Sequence, residues 1–133
     1  MQESGEMYLE SILVLTKKGA PVRSLDVANY LGVSKPSVSR AMGLLKSGNY
    51  ISIDDKGHIT LLEDGLKIAK KIYERHVVIT EILLELGVDM KTAEEDACRI
   101  EHVISDKTFK ALKKHRKEHG KYSVIFLLNL SNQ

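Results

Sequence analysis

Residues 24–61 carry the pattern that most constrains the fold, because helical and strand periodicities alternate there over short distances. Apolar spacing predicts one helix over residues 25–31, a tight turn, and a second helix over residues 35–46. Two alternating apolar runs follow, 50–53 and 58–61, and the glycine-containing turn between them is typical of a β-hairpin. A helix-turn-helix followed by a hairpin predicts a winged helix-turn-helix.

The rest of the chain is predicted to be helical, which makes the fold mainly α. Residues 3–18 form a helix before the winged segment, and residues 62–76 form one after it that either continues through 77–86 or restarts there. Local signals mark two helix starts, a capping Ser24 and a capping box of Thr92 with Glu95.

Two domains are predicted, a winged helix-turn-helix DNA-binding domain over residues 1–62 and an all-helical domain over residues 63–133. The lysine-rich stretch 107–121 is interpreted as a solvated helix face. The apolar run 122–130 is expected to pack against the body or a second subunit, because an open apolar patch favours association.

Composition narrows the class of protein. With 133 residues, 43% of them hydrophobic and 29% charged, the chain can bury one core or two small ones. No apolar stretch is long enough to cross a bilayer, and the first ten residues carry carboxylates where a signal peptide would be basic and then apolar, so we expect a cytoplasmic protein with no membrane partner. The single cysteine excludes an internal disulfide and leaves a free thiol.

The second helix of the winged segment is the candidate DNA-reading element. Its apolar residues share one face, which leaves a small and basic outer face that suits a major groove. The residues predicted to contact DNA from this helix are Lys35, Pro36, Ser37, Ser39 and Arg40. At the tip of the hairpin, Lys56 and His58 are predicted to contact phosphates.

A second cluster points to metal. Glu101 and His102 lie three and four residues after Cys98, so on a helix both share a face with it. Glu94 lies one turn before Cys98 on that face. Thiolate, carboxylate and imidazole are ligands of transition metals. The plainer alternative is an ordinary cysteine beside a surface Glu–His pair. A nucleophilic Cys–His pair would need an oxyanion hole and a substrate cleft, for which the sequence offers no signal, so no enzyme is predicted.

Three motifs carry a family resemblance: Glu6-Met7-Tyr8-Leu9-Glu10, Glu74-Arg75-His76, and the run from Ala97 to Ser105. With the predicted order of elements, the chain resembles the diphtheria-toxin-repressor family of metal-dependent transcriptional regulators over about residues 3–112. The resemblance implies a metal site of Met7, Cys98, Glu101 and His102, and a second site that includes Glu10 and His76. It also implies that the helical domain binds metal and forms a homodimer that binds operator DNA.

The resemblance leaves the metal to be argued from ligand chemistry. Manganese-type members have carboxylates at the positions of Met7 and Cys98, and sulfur ligands are softer, so Fe²⁺ is favoured and Mn²⁺ comes next. Thr80 replaces a family carboxylate, and Glu94 stands where iron-type members have a His but could still ligate. The expected function is a metal-activated repressor of metal-uptake genes. The alternative is a metal-independent winged-helix regulator that responds to an organic ligand or to oxidation of Cys98.

An excess of apolar residues supports the dimer. The stripes in the helical domain exceed what a domain of some seventy residues needs for its own core. The residues concerned are Val78, Ile82, Leu86, Ala93, Ala97 and Ile104.

Overall fold

A computed structural model describes residues 1–119 of the chain. The elements are α1 (Glu3–Lys17), α2 (Ser24–Leu31), α3 (Lys35–Ser47), β1 (Ile51–Ile53), β2 (Ile59–Leu61), α4 (Glu63–Glu85), α5 (Met90–Ile100) and α6 (Asp106–His119). Two compact units divide within α4, the first covering Met1–Lys71 and the second beginning at Ile72. The expected mainly α fold with an N-terminal winged helix-turn-helix is confirmed.

The first unit is built around the helix-turn-helix. Leu9 and Ile12 of α1, Val27 of α2, and Val38 and Met42 of α3 are almost fully buried and form its core. The antiparallel strands β1 and β2 form the wing.

The wing is tied to the helices through backbone contacts. Its register pairs Ile51 with Leu61 and Ile53 with Ile59. The amide of Ile59 donates to the carbonyl of Val22, just before α2, at 2.7 Å. Gly57 has a φ of +80° in the wing turn, a left-handed conformation that glycine adopts readily and that fits the predicted hairpin turn.

Two predicted helix starts were wrong. Ser24 is the first residue of α2, while Arg23 is the N-cap, and the Arg23 amide donates to the Asp26 carboxylate at 2.8 Å. α5 begins at Met90, where the carboxylate of Asp89 accepts from the Thr92 amide at 3.0 Å. Each helix begins earlier than predicted. At α2 the Asp26 carboxylate satisfies the amide of the N-cap Arg23, and at α5 the carboxylate of the N-cap Asp89 satisfies a first-turn amide.

Residues 62–86 were predicted to form either one helix or two. They form one, because α4 runs unbroken for 23 residues. Its single glycine, Gly65, is buried in the first turn. A Cβ at this position would overlap with the carbonyl oxygen of Tyr50, so the close approach of α4 to the chain before β1 requires glycine.

The second unit buries half of the apolar residues that the sequence assigned to a dimer. Val78, Ala93 and Ala97 are 0% exposed within the chain itself, so the expectation that they exceed the needs of one core was wrong for these three. Leu86 is 75% exposed, and Ile82 and Ile104 are half-buried. The exposed apolar surface is therefore smaller than predicted.

Two further expectations concern the end of the described chain. The lysine-rich stretch 107–121 forms α6 as far as His119, and most of its lysines are exposed. The apolar run 122–130 lies outside the described residues. Across residues 1–119, no helix combines the length and apolarity needed to span a bilayer.

Candidate metal centre and DNA interface

The outer face of α3 is open to solvent. Val38, Met42 and Leu45 anchor the helix in the core, which turns the predicted reading face outward. The exposed residues on that face are Lys35, Pro36, Ser37, Ser39 and Arg40. Ser37 is also part of the start of α3, since its amide donates to the hydroxyl of the N-cap Ser34 at 3.3 Å. The DNA contacts of these residues remain predictions.

The tip of the wing is organised by a carboxylate. Asp54 accepts hydrogen bonds from the amides of Lys56 at 2.9 Å and His58 at 2.8 Å, and the His58 imidazole lies 3.5 Å from it. The His58 amide is the main cause that lowers the pKa of Asp54. Arg23 braces the same turn by donating to the Lys56 carbonyl at 3.2 Å. The carboxylate thus holds the turn, and the exposed Lys56 side chain can face a phosphate.

Substitutions at Arg40 and Lys56 should separate base reading from phosphate contact. Arg40→Ala should weaken binding to a selected operator by about 1–3 kcal/mol and relax its sequence specificity, because a base-edge contact is lost. Lys56→Ala should weaken binding to all sequences alike and reduce the salt slope. Fluorescence anisotropy at several salt concentrations measures both effects. Equal losses on operator and random DNA for Arg40→Ala would remove Arg40 from the base-reading set.

The second unit gathers three of the predicted ligands. The Glu101 side chain is 0% exposed, and its Oε2 lies 2.9 Å from Nδ1 of His76. Its Oε1 lies 3.4 Å from Nε2 of His102, whose side chain is 3% exposed. A buried carboxylate is stable only with a positive partner or hydrogen bonds, and one carboxylate with two imidazoles is a donor set that divalent transition metals accept. His76, Glu101 and His102 therefore supply donor types that suit a divalent metal ion.

Other predicted ligands are placed differently. Cys98 and Glu94 are exposed positions of α5, so the structure does not bury them with Glu101. The expectation of one uninterrupted helix through His102 was wrong, because α5 ends at Ile100 and Glu101 and His102 belong to the turn after it. The Glu101 amide still donates to the Ala97 carbonyl four residues back at 2.9 Å, but the Val103 amide donates to the Ile100 carbonyl three residues back at 3.1 Å, so α5 ends in a tighter turn.

Met7 and Glu10 lie in the first unit, three residues apart on α1, and both are half-buried. Residues three apart share a helix face, so a thioether and a carboxylate are presented together. Their role as ligands remains a prediction.

Sequence reasoning missed the buried charges that hold the second unit together. Arg75 has a side chain only 6% exposed and donates to the carbonyls of Glu101 at 3.1 Å and Ile104 at 2.8 Å. Arg116 of α6 is equally buried and pairs with Glu81 and with Glu85, the latter at 3.2 Å, and its burial lowers the pKa of Arg116.

The position of Arg75 in the sequence is a signal that its side chain is buried. Arg75 follows the buried Ile72 by three residues and precedes the buried Ile79 by four, so it occupies a core position of an apolar stripe. A charge at such a position requires a partner.

Comparison with known proteins agrees with this architecture. Residues 1–59 match the iron dependent repressor N-terminal DNA binding domain, and residues 62–119 match the iron dependent repressor metal binding and dimerisation domain. An uncharacterised HTH-type transcriptional regulator of Methanocaldococcus jannaschii is 36% identical over 85% of this chain and 92% of its own length. The transcriptional regulator MntR of Escherichia coli O6:H1 is 33% identical over 85% of this chain and 73% of its own length.

The structure of the manganese regulator SloR superposes with a TM-score of 0.77 at 25% identity, covering 86% of this chain and 54% of that one, so the present chain spans about half the length of that neighbour. The curated relatives are transcriptional regulators, and the expectation that the chain is not an enzyme is confirmed. With a DNA-binding domain and a metal-binding domain matched in order over residues 1–119, the chain belongs to the iron-dependent repressor family of metal-dependent transcriptional regulators.

Proposed function

We propose that this chain is a cytoplasmic repressor of metal-uptake genes that binds operator DNA when loaded with Fe²⁺, with Mn²⁺ as the next best activator. The observation that carries the proposal is the group of His76, Glu101 and His102, in which the buried Glu101 carboxylate contacts both imidazoles. It lies in the segment that matches the family's metal-binding domain. The exposed basic face of α3 supplies the DNA-reading surface.

The proposed ligand set is wider than this group. Glu101, His76 and His102 supply one carboxylate and two imidazoles, and the family resemblance adds Met7, Glu10, Glu94 and Cys98. When bound, the ion supplies two positive charges that offset the buried carboxylate. Metal binding and DNA binding are coupled in this proposal, so the bound ion raises DNA affinity by the same factor by which bound DNA raises metal affinity.

The proposed preference for Fe²⁺ over Mn²⁺ depends on two sulfur-containing side chains, those of Cys98 and Met7. The Cys98 thiolate and the Met7 thioether are soft donors, which suit Fe²⁺ better than Mn²⁺, whereas an all-oxygen set would suit Mn²⁺. The exposure of Cys98 leaves its thiol accessible to an entering ion.

A titration without oxygen tests the proposal. The reduced protein is mixed with a double-stranded oligonucleotide selected from a random pool, and DNA binding is followed as Fe²⁺ or Mn²⁺ is added. We expect both ions to raise affinity, Fe²⁺ at the lower free concentration. DNA binding that is equal with and without metal, and that falls when Cys98 is oxidised, would instead favour the metal-independent regulator.

We further propose a homodimer. The family description of the second domain includes dimerisation. Leu86 is 75% and Met90 40% exposed, and they lie where α4 ends and α5 begins, so an apolar surface remains for a second copy to cover. Sedimentation at micromolar concentration should show a dimer, and Leu86→Glu should shift it toward monomer. A wild-type monomer, with or without metal, would contradict this proposal.

A further inference from the structure

Arg75 stands directly beside the proposed ligand His76 on α4, and its side chain is buried. We propose that Arg75 is a positioning residue that holds Glu101 and His102 in the geometry a metal ion requires. The inference rests on the proposed function, since it concerns the same site.

Arg75 binds two backbone carbonyls in the turn after α5. Nη1 donates to the carbonyl of Glu101 at 3.1 Å and to that of Ile104 at 2.8 Å. The last carbonyls of a helix have no partner within the helix, and α5 ends at Ile100, so this turn needs an outside donor. The guanidinium meets both ends of the turn that contains His102, and the turn is therefore fixed on either side of the ligands.

Two side chains of α6 keep the Arg75 guanidinium in place. Its Nη2 forms an ion pair with Asp106, the first residue of α6. The ring of Phe109, one turn later, lies 5.5 Å from Cζ of Arg75, within the range of a cation–π contact. The orientation of the planar fork is thereby set by side chains that are not themselves proposed ligands.

Arg75 and the proposed ligand His76 both contact Glu101. His76 contacts the carboxylate of Glu101 while Arg75 contacts its carbonyl, so two adjacent residues of α4 hold Glu101 at both its side chain and its backbone. A displacement of the turn would move Glu101 and His102 together relative to His76. Residues that orient metal ligands without touching the metal typically contribute about 10–100-fold to metal affinity.

The experiment compares Arg75→Lys and Arg75→Gln with the full-length wild type. Binding of Mn²⁺ alone is measured by electron paramagnetic resonance, and Co²⁺ serves as a spectroscopic probe of ligand geometry. We expect Arg75→Gln to raise the Kd for Mn²⁺ by about 10–100-fold and to change the Co²⁺ absorption bands. Arg75→Lys should lie between, because an ammonium can reach one carbonyl but cannot reproduce the fork.

Arg116→Lys is the matched control, because Arg116 is as buried as Arg75 but contacts Glu81 and Glu85 and does not contact the turn. Thermal unfolding should show both lysine variants destabilised, with only Arg75→Lys weakened in Mn²⁺ affinity. Equal affinity losses in the two variants, or wild-type affinity in Arg75→Gln, would overturn the inference and leave the proposed function standing. A wild type that binds neither ion would overturn both.

Discussion

Replacing Glu101 with Gln is expected to abolish high-affinity metal binding and, with it, metal-stimulated DNA binding. The carboxylate is fully buried and lies within 3.4 Å of nitrogen atoms of both His76 and His102. Gln has the same size, so the core keeps its packing, but it brings no negative charge to a divalent ion. We expect the Kd for Fe²⁺ or Mn²⁺ to rise by more than about 100-fold, beyond the effect of a residue that only orients ligands. Calorimetry or equilibrium dialysis measures it.

Glu95→Gln is the control for this substitution. Glu95 is an exposed residue of α5 with no proposed role at the site, so the Glu95→Gln variant should bind metal with wild-type affinity. Far-ultraviolet circular dichroism should show both variants folded. If Glu101→Gln kept wild-type metal affinity and metal-stimulated DNA binding, the group of His76, Glu101 and His102 would not be the regulatory metal site.

Exchanging the sulfur ligands for carboxylates should reverse the order of metal preference. In the double variant Cys98→Glu with Met7→Asp, two soft donors become hard oxygen donors, which suit Mn²⁺ and no longer favour Fe²⁺. The ratio of the two Kd values, measured without oxygen, should shift toward Mn²⁺ by at least about 10-fold, a change of roughly 1.4 kcal/mol.

Two matched variants test whether ligand softness is the cause. Cys98→Ser removes the thiolate without adding a carboxylate, so it should weaken Fe²⁺ binding without creating a preference for Mn²⁺. Met42→Leu changes a methionine of the core that is 2% exposed and is not a proposed ligand, so the metal order should not change. A double variant that kept the wild-type order of preference would refute the assignment of sulfur as the selectivity determinant.

Local sequence patterns were sufficient to predict the secondary structure of the DNA-binding half. The helices and hairpin of residues 24–61 follow from side-chain spacing and turn residues, which act over a few positions. The outward face of α3 follows from the same spacing, because Val38, Met42 and Leu45 must lie on one side. The errors in this half were small, and the start of α2 moved by one residue because Asp26 satisfies the Arg23 amide.

The proposed metal centre depended more on the tertiary fold. Sequence reasoning named Glu101 and His102 from their spacing, but His76 lies 25 residues before Glu101 and came only from the family resemblance. Spacing also grouped Cys98 with Glu101 on one helical face, whereas the structure exposes the first and buries the second. The depth of burial depends on how α4, α5 and α6 pack, which a periodic pattern on one helix does not specify.

The sequence by itself determined the order of elements, the DNA-reading face and the chemistry of most candidate ligands, since each depends on residues close together in the chain. Only the tertiary structure decided which of those candidate ligands lie close together and which charges surround them. Arg75 and Glu101 are 26 residues apart, and the buried pair of Arg116 with Glu81 spans 35 positions. The physical reason is that a buried charge is stable only where packing brings it a partner, and that partner can come from any part of the chain.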